Sequence, residues 1–121
     1  MRWEVEYTDE FEEWWCSLKE GEQDSLIASV RLLETCGPSL GFPHSTAIKG
    51  SRHGRMRELR TQHCGRPLRT LYAFDTRRCA ILLIGGDKTG DDRWYAEHIP
   101  IADSLYDDHL QQLVKEGLID G

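Results

Sequence analysis

The sequence predicts one α+β domain at residues 1–121, with elements in the order β-α-α-β-β-β-β-α. Helical periods follow a short strand near the N-terminus, strand-like segments with short links lie between residues 56 and 84, and an apolar helical stripe follows near the C-terminus. Strands joined by short links pair antiparallel. We therefore expect a mostly antiparallel, twisted sheet with the helices packed against one face.

An N-terminal strand and a helical hairpin are predicted for the first third of the chain. Residues 3–7 alternate apolar and polar side chains, as half-buried strands do. Thr8 can cap the next helix, whose apolar residues recur at i, i+3, i+4 and i+7. Gly21 interrupts that pattern and separates it from a second helix, which we expect the Gly-Pro pair at 37–38 to end.

Four strands are predicted in the middle of the chain, at residues 47–50, 56–62, 68–75 and 79–84. The last segment is continuously apolar, which is typical of a central strand buried on both faces. We expect Gly85 and Gly86 to end it. Pro100 suits the first turn of the final helix, because that turn leaves its N–H groups unbonded and proline has none.

Composition and charge exclude several classes of protein. The sequence shows no apolar run long enough to span a bilayer and no apolar h-region of a signal peptide, so we expect a cytoplasmic protein without membrane contact. The four cysteines lack the spacing of a zinc site, and the reducing cytoplasm favours free thiols. The formal net charge of -6 argues against a general nucleic-acid binder.

The charge is distributed unevenly along the chain. Residues 49–93 carry eleven basic and five acidic residues, whereas residues 1–48 carry three basic and ten acidic ones. The basic side chains of the middle segment are nine arginines and two lysines, and the arginine fork matches phosphate. Strand parity places Arg57 and Arg60 on opposite faces, so the two cannot reach one ligand unless a bulge intervenes.

Several segments of the chain resemble the RelE/ParE toxin superfamily, and more closely its phage-derived, HigB-like branch. The resemblance lies in the local sequences of residues 56–60 (MRELR), 69–74 (RTLYAF), 81–88 and 94–110 and in the order of these segments. It implies a RelE-like fold in which the sheet is packed by the N-terminal helical hairpin and the C-terminal helix.

The resemblance also implies the toxin of a type II toxin–antitoxin system, acting as a ribosome-dependent mRNA endonuclease. In such enzymes the 2′-hydroxyl of the message attacks the adjacent phosphate, with no metal ion or other cofactor. The implied catalytic residues are Arg69, Lys88, Tyr95 and Arg60. The expected RNA-binding residues are Lys49, Arg52, Arg55, Arg57, Arg66, Glu58 and His98.

Two residues depart from the pattern of the family. Glu58 stands where a second lysine is frequent, and Thr89 stands where many members have arginine. Glu58 could be the base that takes the proton, or it could pair with Arg60 or Arg69. Sequence reasoning favours the pairing and leaves both open.

The expected partners are a helix-turn-helix (HigA-like) antitoxin, mRNA and the ribosome, with operator DNA bound only through the antitoxin. Two alternatives remain open at this point. One is a toxin that binds without cutting, such as a ParE-like topoisomerase inhibitor, and the other is a degenerate, non-toxic RNA-binding member.

Overall fold

The computed structural model describes residues 2–120, so the first and last residues of the predicted domain lie outside the described residues. The element order agrees with the prediction, and the α+β class is confirmed. The elements are β1 (Val5–Tyr7), α1 (Asp9–Ser17), α2 (Glu20–Cys36), β2 (Ser45–Ala47), β3 (Arg57–His63), β4 (Arg66–Phe74), β5 (Ala80–Asp87) and α3 (Trp94–Lys115). A single 3-10 turn, Gly37–Ser39, follows α2.

The five strands form one sheet in the order β1-β5-β4-β3-β2. Strands β2 to β5 pair antiparallel, whereas β1 pairs parallel with β5. The middle strand is therefore β4, and β5 lies between it and the edge strand β1. The expectation that residues 79–84 form the central strand was wrong by one position in the sheet, although β5 is flanked on both sides.

The helices cover both faces of the sheet. Along β4, Leu71 and Ala73 belong to the core beneath α3, whereas Tyr72 belongs to the core beneath α1 and α2. The expectation that all helices pack on one face was wrong. A strand that is apolar on both sides needs a layer on each side to bury it.

The helical hairpin begins and ends close to the predicted residues. Thr8 caps α1, since its hydroxyl accepts a hydrogen bond from the Phe11 N–H at 3.0 Å. Gly21 does not separate the helices, because it lies in the first turn of α2. The break comes before it, where the Glu22 carboxylate accepts a 2.8 Å hydrogen bond from the Lys19 N–H and so fixes the new helix start.

Gly85 and Gly86 do not end β5, which continues to Asp87. A Cβ at Gly85 would collide with the ring of Trp14 on α1, and one at Gly86 would collide with Trp94 on α3. The two glycines therefore let a tryptophan lie directly on the strand from each face. The sequence signal for a strand end was in fact a signal for close packing.

Two further boundaries differ from the prediction. Pro100 lies inside α3 and not in its first turn, because the helix begins earlier, where Trp94 and Ile99 are buried on the sheet. Strand β2 lies earlier than the predicted residues 47–50. Its position is fixed by Ser45, which is buried and shares a 2.6 Å hydrogen bond with the Tyr72 hydroxyl.

Candidate active site

A buried polar cluster lies where α3 crosses one end of the sheet. It consists of Glu58 on β3, Arg69 on β4, Tyr95 on α3 and Thr46 on β2, and we call it the Glu58 cluster. The Tyr95 hydroxyl donates a 2.5 Å hydrogen bond to Glu58 Oε2, and the same oxygen lies 4.0 Å from Arg69 Nε. Residues of three strands and one helix thus meet at one carboxylate.

Strand register explains why these side chains meet. Glu58 is the cross-strand partner of Leu71, and Arg60 is the partner of Arg69, so all four point to the α3 face. Across the other edge of β4, Arg69 faces Gly86. Because Gly86 has no side chain, the first turn of α3 can approach the strand there and carry Tyr95 over the cluster.

Both oxygens of Glu58 are engaged. Thr46 Oγ1 donates to Oε1 at 2.8 Å, while Tyr95 donates to Oε2, and the residue is only 5% exposed. Of the two alternatives for its ion pair, the geometry favours Arg69. Glu58 is thus a fixed, buried acceptor that holds the phenol of Tyr95 in place.

Arg69 is 3% exposed, and its hydrogen bonds are incomplete. Nη1 donates to the Leu68 carbonyl at 3.0 Å and to Gln62 Oε1 at 3.4 Å. Nε is buried without any hydrogen-bond acceptor. A buried charged donor that lacks an acceptor is costly, and a catalytic role is one of the explanations for such a group in a native structure.

The environment of Tyr95 keeps its hydroxyl protonated. Burial raises the pKa of Tyr95, and the hydrogen bond and negative charge of Glu58 raise it further, with the Arg69 guanidinium opposing both. Lys88 lies above the ring, with Nζ 5.3 Å from its centre. Directly after the end of β5, the Lys88 backbone N–H donates to the Pro67 carbonyl at 3.1 Å. This bond continues the pairing of β4 with β5 and fixes the start of the loop between β5 and α3.

Comparison with known proteins identifies the family of the chain. Residues 13–107 match the model of the phage-derived Gp49-like proteins (DUF891). The chain belongs to the Gp49-like family.

Two relatives of this Gp49-like chain come from Mycobacterium tuberculosis. The candidate toxin HigB2 is 41% identical over 101 residues, which are 82% of this chain and 50% of that protein. The candidate toxin HigB3 is 42% identical over 100 residues, which are 82% of this chain and 86% of that protein. The chain therefore spans about half the length of the first relative and most of the second.

Two solved structures share the fold. The archaeal RelE of a RelE–RelB complex from Pyrococcus horikoshii matches 73% of this chain and 97% of its own, with a TM-score of 0.54 and 14% identity. A mutant of the Escherichia coli toxin RelE in the free state matches 78% and 92%, with a TM-score of 0.58 and 9% identity. The two relatives confirm the predicted likeness to HigB proteins, and the two structures confirm the RelE-like fold.

Two other predicted site residues of this Gp49-like chain lie beside the cluster. The Arg60 guanidinium lies over the exposed ring of Phe42, at 5.5 Å from its centre. His98 stacks on Trp94 with 4.3 Å between the ring centroids, and its Nδ1 lies 2.8 Å from the Trp94 carbonyl. Because a carbonyl only accepts, Nδ1 carries the hydrogen of this bond.

Three predicted RNA-binding arginines are held elsewhere. Arg57 points to the α1–α2 face, as no bulge interrupts the β3–β4 pairing, and its Nε donates to Ser45 Oγ at 2.9 Å. Arg52 pairs with Asp107 on α3 at 2.6 Å. Arg66 pairs with Asp87 at 2.6 Å and also with Glu22. The structure does not bring these three arginines into the Glu58 cluster.

The remaining two predicted RNA-binding residues, Lys49 and Arg55, are exposed and also lie outside the cluster. Sequence reasoning missed Thr46, since a threonine on a three-residue edge strand gives no signal of its partner across the sheet. In the part of the chain that the structure describes, no group of three or more His, Cys, Asp or Glu side chains could hold a metal ion. No helix within residues 2–120 is long and apolar enough to cross a bilayer.

Proposed function

We propose that this HigB-like chain is a metal-independent endonuclease that cuts mRNA on the ribosome. The observation that carries the proposal is the hydrogen bond from Tyr95 to the buried Glu58, beside Arg69 with its unpartnered Nε. Attack by a 2′-hydroxyl on the adjacent phosphate needs a group to take its proton, cations to stabilise the phosphorane and a donor for the leaving 5′-oxygen.

The Tyr95 hydroxyl is arranged to accept the proton of the nucleophile. It has one hydrogen, which it donates to Glu58, and a phenol oxygen has two lone pairs, so one of them can accept from a 2′-hydroxyl. As the 2′-proton moves to the phenol oxygen, the phenol proton moves to Glu58. This relay needs no free phenolate, which the raised pKa of Tyr95 disfavours.

The cations around the cluster suit the phosphate. Arg69 offers a buried N–H without an acceptor, and Arg60 starts from the position opposite it on β3. Lys88 is the candidate donor for the leaving oxygen, because its ammonium carries three hydrogens and lies over the Tyr95 ring. Removing one such stabilising group typically slows a reaction by about 100- to 1000-fold.

The charge distribution supports a need for the ribosome. The chain carries a net charge of -6, and several arginines of the basic segment are engaged with its own carboxylates, as Arg52, Arg66 and Arg77 are. Binding to free RNA depends on unpaired cations that neutralise phosphates. We therefore infer weak binding to free RNA, with the ribosome presenting the message.

The proposed partner is an antitoxin. The archaeal RelE that shares this fold was solved in complex with RelB. For this chain we propose a helix-turn-helix, HigA-like antitoxin, which would carry the complex to operator DNA, and we propose that the pair works in the cytoplasm.

Induced expression with mapping of new 5′-hydroxyl transcript ends tests this function. Wild-type protein should create cuts within translated codons, and Tyr95→Phe should reduce them by about 100-fold, since it removes only the proton-handling oxygen. Tyr7→Phe is the matched control, because it removes the same atom from a tyrosine that is 58% exposed.

Growth arrest with intact transcripts and DNA damage would instead indicate a topoisomerase inhibitor. Wild-type expression without arrest or cuts would indicate a degenerate member.

A further inference from the structure

A second cleft, with a different composition, lies at the opposite end of the sheet from the Glu58 cluster. It has a volume of about 340 Å³, and three aromatic rings and two arginines line it. These residues are Trp3, Phe74, Tyr106, Arg55 and Arg78, and we call the site the Trp3 cleft. Phe74 lies five residues after Arg69 on β4, so the two sites are about 16 Å apart along the strand.

The aromatic wall of the Trp3 cleft is fixed in place. Trp3 meets Phe74 edge to face, with 5.7 Å between the ring centroids. Its indole lies against Gly37, where a Cβ would collide with the ring. Tyr106 is anchored by a 2.8 Å hydrogen bond from its hydroxyl to the Phe74 carbonyl. The wall is therefore formed before any ligand arrives.

Arg78 is held over this wall by the β4–β5 turn. Its guanidinium lies over the indole of Trp3, at 4.5 Å from the ring centre. Arg78 has a positive φ of 69°, which is unfavourable for residues other than glycine. Its backbone N–H donates to the Asp75 carbonyl at 2.9 Å, which holds this conformation in the turn. The turn thus holds an exposed arginine in a strained conformation directly above a tryptophan.

The two arginines of the cleft are not paired with carboxylates in the described part of the chain, so their positive charges are available to a ligand. Within residues 2–120, neither Arg55 nor Arg78 has a carboxylate oxygen within 4.0 Å. Asp75 contributes to the lining, but its side chain is fully buried and bonded to Arg77 and His109, so it does not neutralise them. A ligand in the cleft would meet flat aromatic and guanidinium surfaces together with two positive charges.

We propose that the Trp3 cleft binds one nucleotide of single-stranded RNA, with the base stacked on the Trp3–Arg78 pair and its phosphate beside Arg55. Single-stranded bases stack on aromatic rings and on arginine planes, and the same arginines attract the backbone. This inference rests on the proposed function, since it takes RNA as the substrate. The site would hold the message a few nucleotides away from the bond that is cut.

The first test is a titration of the full chain with adenosine 5′-monophosphate, followed by NMR of the tryptophan indole N–H groups. The Trp3 signal should move with the nucleotide and stay in place with inorganic phosphate at the same concentration. A Trp3 signal that ignores the nucleotide would overturn the proposal. An equal response to phosphate alone would overturn it as well, because it would indicate an anion site without base stacking.

The second test measures binding of a short 2′-O-methylated oligoadenylate, which cannot be cut by 2′-hydroxyl attack, by fluorescence anisotropy. Arg78→Ala should weaken binding at least about fivefold, the effect of losing one stacked base. Arg78→Lys should also weaken it, because the charge remains while the flat guanidinium is lost. Arg31→Ala, which removes an exposed arginine on α2, is the control and should bind as wild type.

The outcomes separate this inference from the proposed function. If Arg78→Ala binds as tightly as Arg31→Ala, or Arg78→Lys binds like wild type, the Trp3 cleft is not a base-stacking site even where Tyr95→Phe abolishes cleavage. If wild-type protein cuts no transcript but the Trp3 signal still responds to the nucleotide, the proposed endonuclease activity fails and the cleft remains. Circular dichroism spectra of the Arg78 variants should match wild type, because the residue is exposed.

Discussion

Arg69 and Arg77 lie at opposite ends of the sheet and differ in how their hydrogen bonds are satisfied. Arg77 Nε and Nη2 donate to Asp75 at 3.0 and 2.7 Å, and Nη1 and Nη2 donate to Glu6 at 3.3 and 3.0 Å. Arg69 has one carboxylate at 4.0 Å and a buried Nε with no acceptor. We call the cluster of Glu6, Asp75 and Arg77 the structural joint. The arginine at this joint uses its donors within the protein, whereas the arginine at the candidate site leaves a donor without a partner.

The largest effect is expected from Arg69→Met, which keeps most of the length of the side chain and removes the charge. We expect cleavage to fall by about 100- to 1000-fold, because the phosphorane loses a buried cation. Arg31→Met is the control. Transcript-end mapping measures the loss, and full cleavage by Arg69→Met would remove Arg69 from the site.

At the structural joint, Asp75→Ala should lower the unfolding free energy. Its carboxylate is buried and accepts from Arg77, from His109 at 3.0 Å and from the Cys79 N–H at 3.3 Å. Removing the carboxylate leaves several donors without their acceptor, although Arg77 keeps its bonds to Glu6, so we expect a loss of about 2 kcal/mol in unfolding free energy. Urea unfolding checks this, and a stability equal to that of wild type would contradict the structural role of Asp75.

Acid should lower the contribution of Asp75 to the unfolding free energy. Burial works to raise the pKa of Asp75, but hydrogen bonds from Arg77, His109 and the backbone outweigh it and hold the pKa below the ordinary value of 3.8. The stabilisation is thus present above pH 3.8 and is lost as the pH falls through the lowered folded-state value. Between pH 5 and pH 2, wild type should lose more unfolding free energy than Asp75→Asn. Equal losses would show that Asp75 is not the responsible group.

The smallest expected effect concerns Thr46, which supports the Glu58 cluster from the edge strand. Thr46→Val keeps the shape and removes the hydroxyl that donates to Glu58, so we expect a loss of about 1 kcal/mol in unfolding free energy and a several-fold drop in cleavage. Thr46→Ser, which retains the hydroxyl, should restore both. Failure of the serine variant to restore them would assign the effect to packing.

Periodicity in the sequence predicted the helices and most strands well, because the apolar stripes of α1, α2 and α3 face real cores. It could not assign the helices to faces, since β4 and β5 are apolar on both sides. Local sequence signals predict boundaries at Gly85, Gly86 and Pro100. The close approach of Trp14 to Gly85 and of Trp94 to Gly86 makes both glycines interior residues of β5, and α3 begins before Pro100, at the buried Trp94. Tertiary packing overrode the local signal at all three.

The candidate site was partly accessible from the sequence. The resemblance pointed to Arg69, Lys88 and Tyr95, which the fold brings near one another, although their catalytic roles remain predictions. The charge count could not show that Arg52 and Arg66 are paired with the protein's own carboxylates, because their partners lie on distant elements. The shared contact of Thr46 and Tyr95 with Glu58 likewise depends on strand register and not on any local pattern.

The glycine pair in β5 has a consequence for mutation under selection. Every codon for glycine changes, at its first or second base, only to codons for residues that carry a Cβ or to stop. Any missense change at Gly85 therefore displaces Trp14, and any at Gly86 displaces Trp94 and with it the turn that carries Tyr95. In a culture that escapes the proposed toxicity by inactivating the gene, these two neighbouring codons are a small target where almost every amino-acid substitution suffices.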